Sequence, residues 1–306
     1  MNNSTIMNIG AVERDTGIGK DTLRVWERRY KFPQPIRDAN GERLYPTEQV
    51  ERLRLIKRLM DQGHRPGQLF SASEDDLLLL AGSIQATERT VPTDNQAVVD
   101  QILTLIKKHD AQGLRQVLNQ AMMRQGLQHF ILGTVADLNR IVGEAWMRGE
   151  LQVFEEHLYS EQMKSLLRQA IGNLPTSAGG RPRILLTTVP EERHVLGLLM
   201  IEGLFTLDGA TCISLGTQTP LFDIRQAADA HCVDIVALSF SSAFPTRQIV
   251  PLLTQLREML PQSVQLWAGG AATEKLPAID GVSTLFTLEE ALLALHSTKS
   301  AHQVEK

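Results

Sequence analysis

Glu192, His194 and Gly197 form a Glu-x-His-x-x-Gly run, Ser239 and Ser241 a Ser-x-Ser run, and Gly269 and Gly270 a pair, with residues 198–238 and 242–268 between the groups. Each type has a chemical use. A neutral imidazole is the commonest side-chain metal ligand, and a metal-bound histidine is usually oriented through its second ring nitrogen by a carboxylate or carbonyl. Glu192 is near enough in sequence to do this for His194. Gly197, Gly269 and Gly270 lack Cβ atoms, which lets backbone approach a long ligand closely. Ser239 and Ser241 add hydroxyls. A lone histidine is more often an unligated surface residue and Gly-Gly more often a turn, but three coincident spacings argue against that account here.

The surrounding pattern supplies a scaffold. From Arg183 onward, short apolar runs (184–189, 211–215, 235–240, 264–268) alternate with amphipathic stretches of helical length, which predicts a parallel sheet with helices on both faces. Ligands of open α/β sheets sit outside the carboxyl ends of the strands. His194 follows the first run, Ser239 and Ser241 end the third, and Gly269 and Gly270 follow the fourth, so all three groups are expected on one edge of the sheet.

These residues resemble the signature of proteins that bind cobalamin with its nucleotide tail displaced from cobalt. The corrin supplies four equatorial nitrogens, and the resemblance implies that His194 takes the lower axial position, with Glu192, Gly197, Ser239, Ser241, Gly269 and Gly270 around the cofactor. The family more often has aspartate where Glu192 stands and leucine where Ser241 stands.

Upstream, the stretch from about Gln96 to Leu174 reads as helical. Trp146, nine further residues, then Glu156 and His157 match the Trp-x9-Glu-His pattern of the helical cap in light-responsive MerR-type regulators of the CarH/LitR group. In that group a four-helix bundle covers the upper face of adenosylcobalamin. The resemblance implies that Trp146 packs on the upper axial group while Glu156 and His157 make polar contacts near it; alone, Trp146 would read as core and the other two as solvated. Met147 stands where well-understood light sensors of the group carry a histidine that takes the upper cobalt position after illumination. A thioether is a soft, weak ligand by comparison.

The amino-terminal end carries different chemistry. Residues 1–70 hold 13 Lys plus Arg against nine Asp plus Glu, a charge of +4 in a chain whose net charge is −4. Such asymmetry is the footprint of nucleic-acid binding confined to one end. Ile9 to Thr16 reads as a helix containing Val12, Gly17 to Gly19 as a tight turn, and Lys20 to Arg29 as a second helix, together a helix-turn-helix. The run from Thr22 to Tyr30 (TLRVWERRY), then Phe32-Pro33, Arg37, Gly41, Arg43 and Tyr45, resembles a MerR-type winged-helix head. Asn40-Gly41 is a hairpin turn signal, making residues 35–45 the wing. Glycine is usual in the family where Lys31 stands. Leu23, Val25 and Trp26 are expected to pack the head. Lys20, Thr22, Arg24, Arg28, Arg29, Tyr30, Arg37, Arg43 and Tyr45 are the expected DNA-contacting set, with Arg24 able to pair with guanine and Arg28, Arg43 and Tyr45 on phosphates. Thr47 to about Gln62, ending near Gly63, reads as a further helix, with Arg52, Arg54, Lys57 and Arg58 on its solvated side.

The expected architecture is multidomain, α plus α/β: a winged helix-turn-helix head (1–70), a linker (71–95) with one short apolar helix, a four-helix-bundle cap (96–176) and a flavodoxin-like, doubly wound, five-stranded parallel sheet (182–300). No heptad run follows the head, so any homo-oligomer, dimer or tetramer, should use the bundle and the cobalamin domain. No apolar run of about 20 residues could span a bilayer and no signal peptide opens the chain, which predicts a cytoplasmic protein. Cys212 and Cys232 are expected as buried thiols. The resemblance implies a non-enzymatic transcriptional regulator, a repressor by preference, whose double-stranded operator binding is controlled by adenosylcobalamin, methylcobalamin or another cobalamin, and by light. Two other readings stand beside it: a regulator of this fold that has lost B12 and answers to a partner protein, and the corrinoid module of a methyltransferase system.

Overall fold

The computed structural model describes residues 6–38, 41–61, 64–73, 76–77, 80, 93–175 and 180–304. It divides into two compact units, residues 1–90 with Glu144–Glu150, and residues 91–143 with Leu151–Lys306.

In the first unit, β1 (Ile6–Asn8) leads into α1 (Ile9–Thr16), followed by α2 (Lys20–Tyr30), β2 (Ile36–Arg37), β3 (Arg43–Pro46), α3 (Thr47–Asp61) and α4 (Pro66–Ser71). Asn8 caps α1 by accepting from the Ala11 amide at 2.8 Å, and Gly17, at φ 70°, ends it in the left-handed conformation that glycine adopts at little cost. Gly19 has no side chain to cap α2; the Glu13 carboxylate does so from α1, accepting from the Lys20 amide at 3.1 Å. That backbone hydrogen bond is the leading reason the Glu13 carboxyl titrates below its ordinary range. The three strands pair antiparallel in the order β1-β3-β2. The sequence had suggested β2 and β3 as the wing but not β1, which is too short to show alternation. Asn40, half of the expected wing turn, lies outside the described residues; Gly41 has φ 78°, a left-handed conformation that glycine adopts readily.

Val12, Leu23, Trp26, Val50, Leu53, Ile56 and Leu59 form the core of this unit. Val25, expected there, is instead exposed, because Leu23 and Trp26 already take the inward face of α2. The head also extends past residue 70. Leu69 and Leu77 are fully buried, and Phe70 stacks on Tyr30 at 4.4 Å and meets Trp26 edge-on at 4.9 Å. The expected linker therefore begins later; residues 81–92 lie outside the described residues, as does Gly63. Two arginines placed on the solvated side of α3 are in fact ties. Arg54 forms a bidentate pair with Asp15, both bonds 2.8 Å. Arg52 lies 5.1 Å over the Phe32 ring and donates to the Ala72 carbonyl. The Arg58 side chain lies outside the described set.

The second unit opens with a four-helix bundle: α5 (Thr93–Lys107), α6 (Ala111–Gln125), α7 and α8 (Val153–Gly172). Here α7 runs through Leu127–His129, a π-helical Phe130–Val135 and Ala136–Met147, whose last residues belong to the first unit. Gln152 and Glu155 make a capping box at the start of α8, satisfying amide groups that a helix start leaves without partners. Tyr159 on α8 donates to Asn139 at 2.6 Å, and Asn139 reaches the Met200 sulfur at 3.3 Å, joining the bundle to the next domain.

That domain alternates β4 (Arg183–Thr187), α9 (Leu196–Leu207), β5 (Thr211–Gly216), α10 (Leu221–Ala230), β6 (Ile235–Ser239), α11 (Thr246–Met259), β7 (Gln265–Gly269), β8 (Val282–Leu285) and α12 (Leu288–Val304). All strand pairs are parallel, in the order β5-β4-β6-β7-β8. Side chains alternate between two cores: Ile184, Leu186, Ile235 and Trp267 meet Leu198, Phe205 and Leu295 on one face, and Leu185, Val236, Leu238 and Leu266 meet Ile224, Ile249 and Leu253 on the other. Burial on both faces explains the near-continuous apolar runs. The doubly wound sheet reverses direction between β4 and β6, and at such a switch point the loops diverge and leave a crevice.

Candidate metal centre and nucleic-acid interface

The loop after β4 and the end of β6 meet at that switch point. Thr188, fully buried, donates its hydroxyl hydrogen to the Glu192 carbonyl at 2.7 Å and accepts from the Gln218 amide at 2.8 Å. The turn passes through Glu191 in the left-handed region at φ 72°. Glu192 is 1% exposed and its carboxylate is saturated. Oε1 accepts from the His194 amide at 2.9 Å and contacts His194 Nδ1 at 2.7 Å, while Oε2 accepts from the amide and hydroxyl of Ser241, both at 2.8 Å. Ser241 Oγ also lies 2.8 Å from Nδ1. Burial pushes the Glu192 carboxyl upward, but the hydrogen bonds from His194 and Ser241 outweigh it and hold the group below its usual range, as expected where donors converge on the charged form.

The result is a fixed imidazole. With Nδ1 donating to a buried carboxylate, the tautomer that presents Nε2 as a lone-pair donor is favoured, and 62% of the His194 side chain is exposed. Glutamate, one methylene longer than aspartate, makes this contact from a loop that turns back through Glu191. Ser241 closes the triad from the loop just after β6. Among the described residues no cluster of three or more His, Cys, Asp or Glu side chains could hold a metal ion.

The glycines have a reason beyond a ligand. A Cβ on Gly270, at φ 103°, would sit 2.3 Å from the Phe240 carbonyl oxygen, and one on Gly269 3.1 Å from that of Leu285. A Cβ on Gly197 would meet Ser239 Oγ at 3.0 Å, which places the start of α9 beside the end of β6. At Gly269 and Gly270 the protein's own backbone already requires the close approach.

Glu156 and His157 lie near the start of α8, joined through Oε2 and Nδ1 at 2.6 Å, with Ser160 donating to the other Glu156 oxygen at 2.5 Å. They form a fixed polar pair on the bundle. Trp146 belongs to the segment Glu144–Glu150 grouped with the first unit. The Met147 side chain lies outside the described set.

In the head, Lys20, Thr22, Arg24, Arg28 and Arg29 are exposed along α2. Arg24 is paired with Asp21 at 2.9 Å. Arg37 is pinned to the wing through the Gly41 carbonyl at 2.8 Å. Two expected phosphate contacts are otherwise engaged. Tyr45 is fully buried and donates to Glu27 Oε1 at 2.7 Å, and Arg43 donates through Nε to Glu27 Oε2 at 2.9 Å. Burial first, then the Glu27 carboxylate, push the Tyr45 phenol upward. Tyr45 is thus a positioning residue inside the head, and the half-buried Tyr30 devotes its ring to stacking on Phe70. Sequence reasoning missed Glu27, whose carboxylate joins the recognition helix to the wing; a Glu on a helix followed by Arg-x-Tyr on a strand carries no local signal of the pairing.

Comparison with known proteins bears on both ends. The MerR HTH regulatory-protein family matches residues 7–69, and the B12-binding-domain family matches residues 98–171. The chain carries a MerR-type helix-turn-helix region and a B12-binding-domain region. It is 28% identical over 267 residues to the HTH-type transcriptional repressor CarH of Myxococcus xanthus, covering 86% of this chain and 88% of that one. It is 29% identical over 275 residues to the repressor CarA of the same organism, covering 89% and 90%. In fold, 66% of the chain matches 99% of the Methanosarcina barkeri monomethylamine corrinoid protein with a TM-score of 0.53 at 20% identity. The B12 match falls on the bundle. The switch-point triad lies in the adjoining α/β domain, where the sequence signature placed it.

Proposed function

We propose that this regulator represses transcription when adenosylcobalamin holds several chains together on DNA, and releases its operator in light. The observation that carries the reading is the Glu192–His194–Ser241 triad. It presents one exposed imidazole with its distal nitrogen fixed by a buried carboxylate, which suits a metal that brings its own four equatorial nitrogens. The likeness to CarH and CarA, both described as repressors, supports the regulatory half. Glu192, as the orienting carboxylate, fixes the His194 ring through Nδ1, and Ser241 holds the other Glu192 oxygen in place. Glu156 and His157 supply a polar pair for the upper side. When bound, adenosylcobalamin supplies a cobalt–carbon bond that light breaks. Linking heads raises overall operator affinity by about 100-fold or more, so loss of the link empties the site.

The test is an absorbance spectrum of protein mixed with adenosylcobalamin in the dark and freed of unbound cofactor. The wild type is expected to retain the pigment with a histidine-ligated spectrum, and His194→Ala to lose that signature. Wild-type protein that stays colourless with every cobalamin tried would overturn the reading and leave a MerR-type regulator that answers to another signal.

A further inference from the structure

Val25 breaks the pattern of the recognition helix. Leu23 and Trp26 take the inward face of α2, while Lys20, Asp21, Thr22, Arg24, Arg28 and Arg29 are all polar and exposed. Val25 lies among them with 43% of its surface in water, the one large apolar side chain on α2 among the described residues so exposed. It adds nothing to the core, and no local structural need calls for it there.

The position decides what could cover it. In a helix-turn-helix the amino-terminal part of the second helix meets base edges in the major groove, and Val25 is in its second turn, beside Arg24. Phosphates and sugars, which the arginines can hold, have no use for an isopropyl group. The major-groove edge of B-DNA carries one apolar feature, the C5-methyl of thymine. Valine suits that contact because its β-branch is held in one dominant rotamer within a helix, so its methyl groups keep a fixed position relative to the groove. Arg24, steadied by Asp21, sits one residue away with donors for a guanine.

We propose that Val25 is a specificity-determining residue of the head, reading a thymine methyl in each half-site next to a base read by Arg24. The proposal rests on the DNA-binding reading of the head and adds a base preference to it.

The experiment uses the full chain, loaded with adenosylcobalamin in the dark. Its preferred duplex is selected from a random pool, and every thymine of a half-site is then replaced singly by deoxyuridine, which lacks only the methyl. Binding is followed by fluorescence anisotropy for wild type and Val25→Ala, with circular dichroism confirming that the variant is folded. One deoxyuridine substitution is expected to weaken the wild type by about fourfold per half-site, the factor for losing one buried methyl-sized group, and to leave Val25→Ala unaffected. Wild-type binding indifferent to every methyl, or an equal loss in the variant, overturns the role of Val25 while leaving sequence-selective binding intact. Failure to bind any duplex removes the DNA-binding reading itself.

Discussion

At the scale of single residues, the chemistry depends on carboxylates that are buried and fully employed. Glu192 accepts four hydrogen bonds through two oxygens, and Glu27 gathers Arg43 and Tyr45. Donors converging on Glu192 hold its carboxyl below its usual range, and both carboxylates fix the side chains they face. The two cysteines show the opposite logic. Both were expected to be buried. Cys232 is exposed, because it follows α10 at the left-handed φ of 47° and turns outward. Cys212 lies under α9, and burial pushes its thiol up to about 12. Thiolate is the reactive form, and a raised value means the proton remains until pH approaches 12. Iodoacetamide at pH 8 should therefore modify one thiol per native chain, at Cys232, and two after denaturation. Mass spectrometry showing rapid native labelling of Cys212 would contradict this burial.

At the scale of elements, the end of the recognition helix holds unrelieved strain. Lys31 sits at φ 57°, ψ 25°, a left-handed conformation that costs an L-residue about 1–2 kcal/mol, where glycine would pay only its extra chain entropy of about 0.5–1 kcal/mol. Lys31→Gly is expected to stabilise the head by about 0.5–1 kcal/mol, read as a higher midpoint in urea with an unchanged slope. A lower midpoint would show that the lysine side chain makes a compensating contact. The same reasoning explains Gly270, which is held by the nearby Phe240 carbonyl as much as by any ligand. Helix α2 itself was legible in the sequence to within a residue, since its start and its apolar spacing are local. Its exposed Val25 was not, because alternate inward positions cannot be ranked until Trp26 has met Phe70.

At the scale of the whole molecule, the chain combines a basic head with an acidic remainder in two compact units. The proposed function predicts that the protein loaded with adenosylcobalamin elutes earlier from a sizing column in the dark than after illumination, with operator affinity falling in parallel. Identical elution and affinity under both conditions would discard the light switch and leave cobalamin binding untouched. No helix among the described residues is long and apolar enough to cross a membrane.

The sequence alone determined the domain order, the helix-turn-helix, the parallel sheet and the alignment of His194, Ser241 and Gly270 on one edge of it. Those features follow from periodicity, turn chemistry and strand ends, which are local and leave marks in the residue order. Tertiary structure decided which groups touch: Ser241 on Glu192 across 49 residues, Arg54 on Asp15 across 39, and Tyr45 on Glu27 across 18. Hydrogen bonds between distant segments depend on how loops fold back, and that depends on the packing of the entire core beneath them.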